Sequence, residues 1–390
     1  MQTRIKAITI FTGFLMLASL GSVTAQRTTP TPRPRPQPQN LQAGAVYVLT
    51  NQVENAVAVF RRAINGQLTA AGEFSTGGAG DPVAIPPDPP TDPLASQGAL
   101  VFGPGSQLLF AVNAGSNQVS VLRVGRTGLA LVDVVDSGGV RPISLTVHED
   151  LLYVLNEGGT PNITGFTIGD DGTLTPLADS TQPLLGGTGA DPAQVSFNGD
   201  GTLLVVTEKL GNRLDTYTVD ANGLPSAPID NASNGMTPFG FSFNNDNFLI
   251  VSEAFGGAPN QSAASSYSSD LSGVLSVISG SVQNSQTASC WVVIPNNGRL
   301  AIVSNTGSGT ISTYNVNDVG VLTLANAVAA DLGANSAPRD MALSVNGHIL
   351  FVQAEGGQSV AVFHIENNGA LTPVDTAGGL PFGAQGIAAR

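Results

Sequence analysis

The chain has 390 residues, 11% of them charged, with 47 glycines and a formal net charge of −13 at pH 7. Five of its 15 basic residues (Arg4, Lys6, Arg27, Arg33 and Arg35) fall in the first 40 positions, which hold no acid, leaving 10 basic against 28 acidic residues, a net of −18. A surface of that sign repels nucleic acid and anionic membrane, and a chain of this size can bury a large single core.

Residues 1–25 read as a secretory signal peptide. Arg4 and Lys6 precede an apolar stretch at 7–21, and Val23-Thr24-Ala25 has the small-residue cleavage pattern. The stretch is short for a membrane span, so a secreted chain, periplasmic or extracellular and open to cell-surface association, is expected rather than a membrane-spanning one. Residues 26–43 are Pro-rich and polar, an extended linker that serves either as a tether or as a plain leader. The remaining domain spans 44–390.

From Val46 onward one unit recurs. Its second strand reads VYVLT (46–50), LFAVN (109–113), LYVLN (152–156), LLVVT (203–207), LIVS (249–252), AIVS (301–304) and LFVQ (350–353), seven copies near a fifty-residue period. Short Val/Ile/Phe-rich runs bounded by Gly and Asn are strands and turns, and "GxLT" turns recur at Gly66, Gly172, Gly320 and Gly369. The pattern predicts an all-β, seven-bladed β-propeller with four antiparallel strands per blade. The chain enters at a second strand, so residues 380–389 are expected to supply the missing first strand and close the ring. A monomer is expected.

Residues 77–97 form the largest insertion, a loop with six prolines and no room for a strand, and blade five carries a polar loop at 254–266. Asp170-Asp171-Gly172 and residues 198–201 resemble calcium-loop fragments, but they sit where hairpin turns belong. The three histidines lack metal-ligand spacing, and no cofactor or metal signature is present. Cys290, beside Trp291 in a first strand, is expected to be buried and inert.

The connections that enter first strands and leave second strands share the mouth of the channel. Register places Ala99, Ile143, Ala193, Phe239, Cys290, Arg339 and Phe382 in one ring there, and Leu100, Ser144, Gln194, Gly240, Trp291, Asp340 and Gly383 in the next. Arg339 is the only cation in either ring. Just after the second strands come Asn51, Ala114, Glu157, Glu208, Glu253, Asn305 and Ala354, so blades three to five align three carboxylates, with Lys209 and Arg213 beside the middle one. Two readings stand: a charged rim, or polar loop ends satisfied by local donors.

KLGNRLDTY at 209–217, Pro338-Arg339 and Glu253 at the end of a second strand resemble the lactonase family of seven-bladed propellers, which includes bacterial phosphogluconolactonase and the fungal carboxymuconate-lactonising enzyme. The resemblance covers the whole domain and places Arg213, Glu253 and Arg339 at positions the family uses at its active-site mouth. It implies arginines that hold substrate anions and a histidine and glutamate that move protons. The family's "PRH" before the second strand of blade five is here Pro238-Phe239-Gly240, and the histidine expected at the start of blade four is replaced by DPAQ at 191–194. Arginine cannot act as a base near neutral pH, which leaves a rim glutamate for that role.

Two functions follow as expectations. One is a lactonase-like enzyme, a hydrolase or cycloisomerase of carbohydrate-type substrates. It would hydrolyse or cyclise a small anionic lactone with Glu253, Arg213 and Arg339 as catalytic groups and Arg339, Phe239, Trp291, Phe382, Gln194, Glu208 and Glu157 around the substrate. The other is a non-catalytic secreted propeller that binds a small anion or a cell-surface component. In either case Arg339 is expected to select anions, unless Asp340 or a rim glutamate already pairs with it.

Overall fold

A computed structural model describes residues 42–82 and 92–390; the stretch expected to be a signal peptide (1–25) and nearly all of the expected linker (26–43) lie outside the described residues. Seven antiparallel sheets follow one another along the chain; five are built from four consecutive strands each, and the first joins three consecutive strands to the last strand of the chain. Blade three divides its outermost strand into Leu174–Pro176 and Gln182–Pro183. Helical structure among the described residues amounts to four three-residue 3-10 turns.

The second strands alternate poorly because both faces are covered by neighbouring blades. Leu203–Glu208 and Leu300–Asn305 are buried along their full length. Burying each large aliphatic side chain contributes about 1.5–3 kcal/mol, so stacked blades hold one another in place. The outermost strands are mostly exposed or half-buried, with few fully buried positions, as strands at the rim of a blade should be. Between the third and fourth strands each hairpin turns on a glycine at positive φ, from Gly66 (90°) through Gly172 (88°) to Gly369 (78°), a conformation that L side chains avoid. Of the two calcium-like stretches, one is such a turn, where Asp171 Oδ1 accepts the Thr173 N–H at 3.0 Å; the other joins the first and second strands of blade four, where Asn198 Oδ1 accepts the Thr202 N–H at 2.9 Å. Both are side-chain-capped turns, and among the described residues no group of three potential ligands converges on a metal position.

The ring closes through Ile387–Ala389, which pairs with the first described strand, Gln42–Leu49, in the register Val46↔Ala389, Tyr47↔Ala388 and Val48↔Ile387. The closing strand is three residues long, not the ten the sequence suggested. Leu380, Ala384 and Ile387 pack with Val46, Val48 and Phe60 of blade one and with Phe351 and Val362 of blade seven. Blade five's loop is also shorter than expected, since Ala263–Ser269 is already its third strand. No helix among the described residues is long and apolar enough to cross a membrane.

Candidate functional site

The pairing register fixes which residues share the mouth. Pro192 faces Glu208, Pro238 faces Glu253, Ser289 faces Asn305 and Pro338 faces Ala354. In blade three the corresponding pair is Pro142 with Asn156, so Glu157 lies one residue past the position held by Glu208 and Glu253. The aligned row of three carboxylates is corrected to two. A similar slip occurs at the closing strand. With Val48 opposite Ile387, the residue equivalent to Arg339 is Gln385, and Phe382 stands outside the ring. In blade two Leu100 faces Ala111, which moves that blade's ring positions to Gly98 and Ala99. A one-residue shift exchanges the two faces of a strand, so such slips reassign side chains completely.

The mouth itself is filled by the protein's own chain. Residues 92–98, at the end of the Pro-rich insertion, cross it and bond to the innermost strands all the way round. Gln97 N–H donates to Ala193 O at 3.0 Å and Ser96 Oγ to Ile143 O at 2.8 Å. Gln97 Nε2 donates to Val292 O at 2.8 Å while its Oε1 accepts the Val292 N–H at 3.0 Å. Trp291 Nε1 and Gln385 Nε2 both donate to Ser96 O, at 2.8 and 2.9 Å, and Leu94 N–H donates to Gln385 Oε1 at 3.0 Å. Leu94 is fully buried. Room for this segment comes from Gly240, where a Cβ would stand 2.1 Å from Gln97 Oε1. Ala95 adopts φ 47°, a costly conformation that the Asp92 Oδ1 bond to its N–H (2.9 Å) helps to hold.

Under this segment sits a buried group of charges. Arg339 is fully buried, and its Nη1 lies 3.3 Å from Glu355 Oε2, whose other oxygen accepts the Gly383 N–H at 2.7 Å. Lys209, also buried, donates to Ala95 O at 2.9 Å and Pro192 O at 3.0 Å, pairs with Asp191 at 3.2 Å, and lies 5.2 Å above the Phe239 ring. Burial raises the pKa of the Asp92 carboxyl, and the nearby Arg339 and Lys209 cations pull it back down. Asp340 is pushed up to about 7 by burial, against the backbone N–H groups of Met341, Gly98 and Ile387. Burial pushes the Cys290 thiol up to about 12, which suits an inert side chain. Phe239 and Trp291 pack at 5.0 Å between ring centroids. Gln194 is bonded in both directions to the Phe241 backbone, at 2.7 and 3.1 Å.

The remaining expected site residues stand elsewhere, each in its own inter-strand setting. Glu253 is fully buried and accepts the Gly235 N–H at 2.9 Å from the connection entering blade five, and the Ser281 hydroxyl at 2.7 Å and the Ser265 hydroxyl from that blade's two outer strands. Burial raises its pKa and those donors lower it. Glu208 accepts the Gly186 N–H at 3.0 Å and adjoins Asp215, whose pKa rises from 3.8 to about 8 through burial and the hydrogen bond between the two carboxyls. Arg213 pairs with Asp230 at 2.8 Å and stands 4.0 Å from Glu208. Glu157 pairs with Arg141, which also reaches Asp81 at 2.8 Å. Asn305, at the matching place in blade six, likewise bonds Ser312 at 2.8 Å and Ser289 at 2.5 Å. In blades four, five and six this position is therefore a polar pin that ties the end of the second strand to its neighbours. The structure gathers Arg339, Trp291, Phe239 and Gln194 around the mouth and leaves Glu253, Glu208, Glu157 and Arg213 outside it. Glu355, Asp92 and Gln385 were missed by sequence reasoning, because each depends on a loop path with no periodic signal.

The family model described as "Lactonase, 7-bladed beta-propeller" matches residues 98–257 and 263–383. A 6-phosphogluconolactonase of Yersinia enterocolitica is 27% identical over 149 residues, covering 37% of this chain and 42% of that protein. The Pseudomonas aeruginosa periplasmic gluconolactonase superposes with a TM-score of 0.65 at 17% identity, over 88% of this chain and 98% of that one. A protein from Lactobacillus plantarum superposes at 0.69 with 16% identity, over 90% and 100%. Identities this low carry the fold alone.

Proposed function

Because this chain belongs to the lactonase family of seven-bladed β-propellers, we propose that it works as a non-catalytic binding propeller and not as a lactone hydrolase. One observation carries the reading: residues 92–98 engage Lys209, Trp291, Gln97's backbone partners and Gln385 across the mouth, so the place where a substrate would sit holds the protein's own chain. The glutamate that would serve as base is spent too. Glu253 has three donors on its two oxygens and no exposed surface. A general base must reach the proton it removes. The signal-peptide pattern of residues 1–25 and the Pro-rich linker support action outside the cytoplasm, and the periplasmic gluconolactonase among the structural neighbours fits that location.

A second reading, a lactonase-like enzyme for a small anionic lactone or carboxylate, is favoured by one feature. The positive charges of Arg339 and Lys209 both favour the ionised form of the buried Asp92 carboxyl, against the effect of burial, so the centre has the sign that suits an anionic group. In that reading residues 92–98 withdraw to admit substrate. Proton release from a panel of aldonolactones, measured with wild type and Glu253→Gln, separates the two. Absence of turnover by wild type supports the binding propeller; turnover that Glu253→Gln abolishes establishes the enzyme.

A further inference from the structure

On the face opposite the blocked mouth, the basic residues are distributed unlike those elsewhere in the domain. Arg141, Lys209, Arg213, Arg299 and Arg339 each pair with a carboxylate, and Arg123 donates to the Asp171 carbonyl. Arg61, Arg126 and Arg390 converge on a single cleft beside Tyr47 and pair with no carboxylate among the described residues. In a domain with a net charge of −18, three guanidinium groups gathered with no ion pair among the described residues are a local reversal of sign.

The cleft opens into a groove of about 650 Å³, whose described lining is Ala43, Gly44, Gly105, Ser106, Arg126, Val345 and Arg390. Its origin lies in the ring closure. Blade one has no turn joining its first and second strands, because the two come from opposite ends of the described chain. The gap is flanked by the first turns of blades two and seven. The wall is charged as well: Arg62, buried behind it, donates Nη2 to Ala43 O at 2.9 Å, and its Nε has no hydrogen-bond partner among the described residues.

We propose that this seam groove binds an acidic polysaccharide, its carboxylates seated on Arg126 and Arg390, with Arg61 alongside in the adjoining cleft. Guanidinium groups match planar carboxylates through paired N–H donors. Small residues on the floor, Gly105 and Ser106, leave room for sugar rings, and Val345 offers an apolar contact. A linear chain threads the groove without approaching the acidic remainder of the surface. A broad anionic bilayer meets that remainder and is repelled, which decides between the two kinds of partner. The site is independent of what the mouth does.

The test uses the purified chain with polygalacturonate as the probe, in affinity gel electrophoresis and calorimetry, with a neutral galactan and anionic phospholipid vesicles alongside. Wild type is expected to bind polygalacturonate in a salt-sensitive manner and to ignore the galactan. Arg61→Glu/Arg126→Glu is expected to weaken binding by about tenfold or more. Arg61→Lys/Arg126→Lys keeps the charge and is expected to retain most of it. Both residues are exposed, so unfolding midpoints should stay near wild type; were the Glu pair to unfold, Arg126→Ser on its exposed hairpin would report instead. No binding by wild type, equal binding by the Glu variant, equal loss in the Lys variant, or arginine-dependent capture by vesicles alone would each overturn the proposal.

Discussion

The indole N–H of Trp291 lies 2.8 Å from the carbonyl oxygen of Ser96, a contact between residues 195 apart in sequence. It joins blade six to the segment that fills the mouth, and Gln385 donates to the same oxygen from the closing end of the chain. Trp291→Phe removes the N–H and keeps most of the ring packing against Phe239. Loss of one buried hydrogen bond should cost about 1 kcal/mol, and Trp291→Ala about 3–5 kcal/mol. Denaturant unfolding of both variants checks the ratio.

Lys209 carries the opposite wall of the same segment. Lys209→Met keeps the stem over Phe239 but loses the bonds to Ala95 and Pro192. The amides of Leu94 and Gln97 should then exchange hydrogen faster, while the blade strands keep their protection. Uniform acceleration throughout the domain would instead mean that Lys209 supports the fold as a whole.

Asp215 sets a pH dependence whose sign can be worked out. Its pKa is 3.8 ordinarily and about 8 in the fold, where burial and the bond to Glu208 favour the protonated form. The folded state therefore holds a proton that the unfolded state releases, and stability must fall as pH rises from about 4 to about 8. Asp215→Asn should flatten that part of the stability curve. Unfolding midpoints at pH 4, 6 and 8 for both proteins give the comparison.

Glu253→Gln tests the pin at the end of blade five's second strand. The amide keeps one acceptor for Gly235 or Ser265 but points an NH2 group toward a position that now accepts from a hydroxyl. A loss of about 1–3 kcal/mol is expected, the cost of a mismatched buried partner, though rotation of the Ser281 hydroxyl reduces it.

Much of the fold was readable because blades repeat. Period, strand composition and positive-φ glycines such as Gly172 and Gly369 are local signals, and each blade states them again. Positions within the ring were harder. Glu157 and Phe382 were each assigned to a shared position that the pairing gives to Asn156 and Gln385, because nothing local says where a strand's pairing begins. The filling of the mouth had no sequence signature. Leu94, Ser96 and Gln97 form no periodic pattern, and their partners lie as far away as Gln385. Four of the expected site residues, Arg339, Trp291, Phe239 and Gln194, do meet around one centre, but residues 92–98 reach it first.

The seam that closes the ring also sets the order of assembly. Gln42–Leu49 is among the first parts of the domain to leave the ribosome, yet its partner Ile387–Ala389 is the last. Until then the strand presents an unpaired backbone edge made of Ala, Val, Tyr and Leu, a template for pairing with another chain. The sequence separation of that contact spans nearly the whole domain, which makes it the slowest to form by loop-closure entropy. Productive folding therefore depends on keeping the early edge apart from other copies until synthesis is complete, so yield should fall with rising protein concentration during refolding before any single blade is destabilised.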